Sequence, residues 1–135
     1  MIAGSDSCTI NWQYPGGKPL EGEGVLETCY REVYEETNLE LKSFCVMPTF
    51  FGYYLIESYN TATKEKTDEF LQLRLLVKLA LPADKLPLAP NEREGDTGQI
   101  VSVQACTLEE AYQVIPWLRE TEENHTFIAR ISPLL

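Results

Sequence analysis

Residues 14–41 read YPGGKPLEGEGVLETCYREVYEETNLEL, and this stretch decides the fold. Pro15, Gly16 and Gly17 form a turn. Beyond it, Leu26, Cys29, Tyr30, Val33 and Thr37 recur at the i, i+3, i+4, i+7 spacing of a core stripe, which predicts a helix over 25–37. Asn38 suits the left-handed position that closes such a helix, which glycine fills more often. Glu32, Glu35 and Glu36 occupy roughly a 100° sector of the helix near its end. Carboxylates there face the negative pole of the macrodipole, at a cost of roughly 0.3–1 kcal/mol each at low salt. Glu32 also repels Glu36 across one turn. A helix shaped for stability alone would carry lysine or arginine at these positions. A divalent cation would neutralise the cluster, so the pattern predicts a metal site.

Outward from this stretch the chain reads as strands, then a second helix. Residues 8–12 are expected to form a short strand entering the turn, and residues 39–46 a strand leaving the helix. Residues 50–59 are aromatic and β-prone, and NTATKEKT (60–67) is a polar turn. Leu71, Leu73, Leu75, Val77, Leu79 and Leu81 alternate strictly, with Gln72, Arg74 and Lys78 on the other face. Together these segments predict a long hairpin. Residues 82–98 are rich in proline, glycine and acid without periodicity; a loop of that length in a small domain is usually functional or mobile. Residues 100–106 are a further strand. Thr107 with Glu110 forms a capping box, opening a helix whose stripe is Leu108, Ala111, Tyr112 and Ile115 and which Pro116 ends.

The totals narrow the function. One domain over 1–135 is expected from the 135-residue length, with 44% hydrophobic and 24% charged residues. Eleven basic against twenty-one acidic residues give a formal charge of −10, which argues against nucleic-acid binding through a basic surface. Cys8, Cys29, Cys45 and Cys106 contain no C-x-x-C pair and read as reduced thiols of a cytoplasmic protein. No signal peptide is expected from MIAGSDSCTINW, and no membrane span, because no run of 18 apolar residues occurs.

Gly17, Glu23, Arg31-Glu32-Val33, Glu35-Glu36, Asn38 and Leu39 resemble the signature of the Nudix hydrolases, G-x5-E-x7-R-E-U-x-E-E-x-G-U, where U is bulky and aliphatic. Eight of nine fixed positions match, Asn38 standing where the family has glycine. The resemblance implies a Nudix-like α/β/α sandwich of α/β (α+β) class with a mixed central sheet. It also implies hydrolysis of the pyrophosphate bond in a nucleoside diphosphate linked to another moiety, with Mg²⁺ or Mn²⁺. It makes Glu35 and Glu36 direct ligands, Glu32 a third ligand or the base that activates water, and the Gly17 carbonyl a neighbour of the metal. Arg31 would orient the carboxylates, and Glu23 would lock the turn to the helix. Lys18 could touch a phosphate, and Glu94 or Glu92 of the long loop could add a carboxylate.

Fifteen residues precede Gly16, fewer than the family's usual lead. A shortened domain lacking one or more N-terminal strands is therefore one expectation. Residues 127–131 or a second copy in a homodimer would then fill the place. Phe50, Phe51, Tyr53 and Tyr54 could stack on a base, though hairpin aromatics more often pack into a core. His125 is expected at the surface. The competing function is a non-catalytic module that binds a nucleotide or a partner.

Overall fold

The helix forms at the expected bounds, Val25–Thr37 (α1), and Asn38 closes it in the left-handed conformation, φ 65° and ψ 16°. A computed structural model describes residues 2–6 (backbone only), 12–44, 46–91, 100–115, 118 and 130. The Asn38 N–H donates to the Tyr34 carbonyl at 2.9 Å, and its Nδ2 donates to the Pro87 carbonyl at 2.9 Å. Two more carbonyls at the helix end, which no residue of the helix can satisfy, find donors in the same segment. Ala89 N donates to Thr37 O at 3.1 Å and Asn91 N to Glu35 O at 3.0 Å. Part of the long acidic loop is thus a strap across the C-terminus of α1. Its remainder, 92–99, lies outside the described residues.

The expected strand over 39–46 is a correction: residues Leu41–Phe44 form a 3₁₀ turn instead. Ser43 supplies the reason, donating both N–H and Oγ to the Glu40 carbonyl at 3.0 and 2.7 Å. Leu39 and Leu41 both become buried. Their alternation imitates a strand, but a tight turn sends both inward.

The hairpin is present as β3 (Thr49–Tyr59) and β4 (Lys66–Leu76), paired antiparallel. Asn60 organises its tip: Oδ1 accepts from the N–H groups of Ala62 and Thr63 at 2.9 and 3.1 Å, and Lys64 takes a positive φ. The second strand runs earlier than the 71–81 alternation predicts. Its register ends with Thr49 opposite Leu76, and Pro48 precedes β3 without an N–H to donate. Residues 77–81 therefore have no ladder to join, whatever their pattern.

A second sheet has the order β2–β1–β5, from Ile2–Asp6 (β1), Trp12–Gln13 (β2) and Ile100–Ala105 (β5). The short lead therefore does supply a strand, and a central one: β1 pairs with both neighbours. It lies upstream of the 8–12 segment expected from sequence, most of which falls outside the described residues. Every pairing among the described residues is antiparallel, so the parallel pairing that a mixed sheet requires is not among them. The class, mixed α and β, is as expected.

Thr107 opens the second helix, Leu108–Val114 (α2), with both halves of the capping box formed. Ala111, Ile115 and Leu118 are fully buried, packed against Trp12, Tyr14, Phe51, Cys106, Leu108 and Tyr112. The α1 stripe is less buried than its periodicity suggests. Thr37 is covered, but Leu26, Cys29, Tyr30 and Val33 are half-buried. No described helix is long and apolar enough to cross a membrane. Residues Cys8, Cys45, Pro116 and His125 lie outside the description, as does the 127–131 segment apart from Arg130. Cys29 is a free thiol, and burial pushes the Cys29 and Cys106 thiols above their usual range.

Asn38→Ala is expected to lower stability by about 1–2 kcal/mol, through the left-handed backbone and the lost Pro87 bond. Asn38→Gly keeps the backbone freedom and loses only the bond, so it should fall by less than alanine does. Urea unfolding of the two variants checks the order.

Candidate metal centre

The functional side chains of α1 meet the glycine turn through one guanidinium. Arg31 has five N–H donors, and five acceptor atoms surround it. Nε and Nη2 clasp the Glu23 carboxylate at 2.7 and 2.9 Å, a forked pairing that fixes the guanidinium plane. Nη1 donates to Glu32 Oε1 at 2.7 Å and to Glu35 Oε2 at 3.2 Å. Nη2 also reaches the Lys18 carbonyl at 2.9 Å. Glu23 is held in turn by the Leu20 N–H at 3.1 Å and the Thr28 hydroxyl at 2.7 Å. The turn, the helix start and the helix end are therefore tied to one cation.

These bonds displace both partners' proton affinities. The Arg31 hydrogen bond, ahead of the Thr28 and Leu20 donors, holds the Glu23 carboxyl down at about 2. The same bond, opposed by some desolvation, raises Arg31 further, so it stays charged at any working pH.

Glu36 is placed differently. It is 7% exposed and accepts the Gly16 N–H at 3.1 Å through Oε2. Gly17 lies against the neighbouring carboxylate: a Cβ built there would overlap the Glu32 side chain. Glycine at 17 thus lets the Glu32 carboxylate rest against the turn, and any side chain there would have to push its flexible end aside. Gly16 has open space around its Cα, and the sequence had no way to separate the two.

The donor set fits a hard divalent cation. Four carboxylates (Glu23, Glu32, Glu35, Glu36) against one guanidinium leave three net negative charges near the turn. Mg²⁺ and Mn²⁺ prefer such oxygen ligands. The cradle over Gly17 would be filled by any larger residue. Yet no group of three acidic, histidine or cysteine side chains is arranged to grip a metal ion among the described residues. Glu32 and Glu35 turn toward Arg31, and Glu36 toward the turn. The expected ligands are brought to one neighbourhood without converging on one point.

Lys18, expected near a phosphate, contributes its carbonyl to Arg31, while its ammonium stands 5.7 Å from the Phe70 ring centroid. Glu92 and Glu94 lie outside the described residues. Two contributors escaped the sequence reading. Thr28 carried no motif signal, and the Lys18 carbonyl depends on turn geometry that no side chain announces.

A family model described as NUDIX domain matches residues 3–130. No curated protein matches the chain.

Gly17→Ala should displace the flexible end of Glu32, with a stability loss below about 1 kcal/mol, while weakening Mn²⁺ binding; thermal melts paired with metal titration separate the two effects. The depressed carboxyl of Glu23 contributes stability above its ordinary 4.5 that is lost as pH falls toward 2. Glu23→Gln is therefore expected to melt below wild type at neutral pH in metal-free buffer, with the gap closing across that window.

Proposed function

This chain belongs to the Nudix family, and from that premise we propose that it is a metal-dependent hydrolase of a nucleoside diphosphate linked to another moiety. The observation that carries the reading is the gathering of three glutamates beside the glycine turn: Glu32 and Glu35 held by Arg31, Glu36 by the Gly16 N–H. Glu32, Glu35 and Glu36, with the Gly17 carbonyl, are the groups that would hold Mg²⁺ or Mn²⁺. When bound, such a cation polarises a phosphoryl oxygen and neutralises the charge that leaves with the product.

The chain's own residues would do the remainder. Arg31, fixed by Glu23, presents Glu32 and Glu35 from one rigid post, which limits the freedom that both carboxylates must otherwise lose. Each gives Arg31 one oxygen and keeps a second. One of these carboxylates accepts a proton from water as the water oxygen attacks phosphorus. The phosphoanhydride P–O bond breaks, and two phosphorylated products leave. Glu36 would hold the cation from a buried position, where its charge is least screened by solvent. Lys18, next to Gly17 in the chain, would meet a substrate phosphate on turning away from Phe70. The acidic balance of the chain, −10, favours a small-molecule substrate brought in with its cation over a nucleic acid.

The engagement of Glu32 and Glu35 by Arg31 also supports a second reading, a module that binds a nucleotide without turnover. A panel of ADP-ribose, dinucleoside polyphosphates and nucleoside triphosphates distinguishes the two. Hydrolysis is expected with Mg²⁺, lost on chelation, and reduced by ~10²–10⁴-fold in Glu32→Gln or Glu35→Gln if either serves as base. Glu36→Gln should lose metal affinity as well as rate. Calorimetric nucleotide binding with no turnover of any panel member would leave the binding module standing instead.

A further inference from the structure

We propose that the 87–91 strap is a positioning device for the candidate metal centre, with Asn38, Ala89 and Asn91 holding the last turn of α1 in the shape its glutamates need to meet a cation. The proposal rests on the reading that Glu35 and Glu36 hold that cation. Three hydrogen bonds fasten the strap. Asn38 Nδ2 donates to Pro87 O at 2.9 Å, Ala89 N to Thr37 O at 3.1 Å and Asn91 N to Glu35 O at 3.0 Å. The two helix carbonyls so bound, of Glu35 and Thr37, bracket Glu36 in the chain. Within the strap, Leu88 N–H bonds back to Leu86 O at 2.8 Å, a local turn that leaves its place on the helix to the other three.

Glu35 and Glu36 need such support more than Glu32 does. The last carbonyls of a helix have no partner within it, and an end without other donors frays. Both residues lie in that last turn, which carries no basic side chain. Their own side-chain ties are the longer ones, 3.2 Å from Arg31 to Glu35 and 3.1 Å from Gly16 to Glu36, against 2.7 Å from Arg31 to Glu32. The strap's two N–H groups add donors at the negative pole of the helix, where the dipole opposes the carboxylates. An undocked strap would leave those carbonyls to water and let the turn open. A cation would then have to order the turn again on binding.

The strap is held loosely enough for this to count. Between 87 and 91 no residue is buried, and only Leu88 and Asn91 are half-buried. Little apolar area therefore backs the three bonds, and segments of that kind open locally at small cost. Apparent cation affinity scales with the docked fraction. By linkage, a cation that favours the docked turn tightens the strap by the same factor. Asn38 makes this coupling possible where the family has glycine, because glycine offers the backbone conformation and no donor.

Mn²⁺ titration of the full chain, followed by the paramagnetic resonance of the free ion, is expected to show binding weakened by ~3–10-fold in Asn38→Gly, the range that one lost hydrogen bond can transmit. Ala89→Pro, which deletes the donor to Thr37 from the strap's side, should do the same. Thr107→Ala breaks the capping box of α2 instead, so it destabilises the chain elsewhere and should leave the affinity unchanged. In the wild type, saturating Mg²⁺ should slow amide exchange at Ala89 and Asn91 by at least the factor that the variants lose, a measurement that needs no variant to fold. Wild-type binding that either folded strap variant keeps in full overturns the proposal, as does equal weakening in Thr107→Ala, or strap amides indifferent to Mg²⁺. A wild type that takes up no Mn²⁺ at millimolar levels overturns the metal reading itself, and the strap's role with it.

Discussion

The guanidinium of Arg31 is the constraint on which the site depends. Carboxylates brought close together without a counter-charge would raise one another's proton affinity or push apart. Arg31 puts a positive charge in direct contact with three of the four, Glu23, Glu32 and Glu35. The forked bond from Glu23 matters most, because it sets the plane from which Nη1 can reach Glu32 and Glu35 together. Arg31 is itself fully engaged, and a lysine could not replace it: a single ammonium has three donors and no fixed plane. The metal-free arrangement and a metal-bound one are therefore related by competition. A divalent cation held there, as proposed, would have to take Glu32 and Glu35 oxygens that the guanidinium does not occupy, or draw them from it.

The second constraint is where α1 ends. Its last turn carries Glu35 and Glu36 and no basic residue, so the helix terminus gains no favourable charge from its own side chains. Stability there comes from backbone partners: Asn38 N–H on Tyr34, and the strap residues Ala89 and Asn91 on Thr37 and Glu35. Asn38 explains itself in this setting. Glycine would take the left-handed cap more cheaply, but it could not hold Pro87, and it is that side chain that joins the cap to the strap. The acidic loop and the acidic helix end are thus bound to each other through main-chain groups, which leaves the carboxylates of α1 to the turn.

What was legible from the residues follows how local each feature is. The bounds of α1, the left-handed cap and the Thr107 capping box are decided within a turn or two of chain, and all appear as read. The hairpin is legible as a pair of strands, but its register is not. The end of β4 is set by Pro48, far away in sequence, and the alternation that runs on through Val77, Leu79 and Leu81 has no means of showing that. Residues 2–6, IAGSD, have little intrinsic preference for a strand, and they form one because β5 and β2 flank them. The centre was legible as a set of residue types. Its wiring was not: the Lys18 carbonyl on Arg31 and the Thr28 hydroxyl on Glu23 could be named only once the turn was folded.

The hairpin shows how one alternating pattern serves two surfaces. In β4, Leu71, Leu73 and Leu75 share one side and Phe70, Gln72 and Arg74 the other, and it is Arg74, from the more polar side, that meets Tyr54 and Tyr14. That inverts the usual rule, in which the apolar side of a half-buried strand lies on the core. The inversion has a physical source. The inner face meets Tyr14 and Lys18, residues flanking the glycine turn, and a cation over aromatic rings is well suited there. Burial still pulls the Arg74 guanidinium below its ordinary value, so the charge is retained against a desolvation cost. The chain keeps this orientation, which holds a guanidinium against Tyr54 and near Tyr14, the residue that leads into the turn.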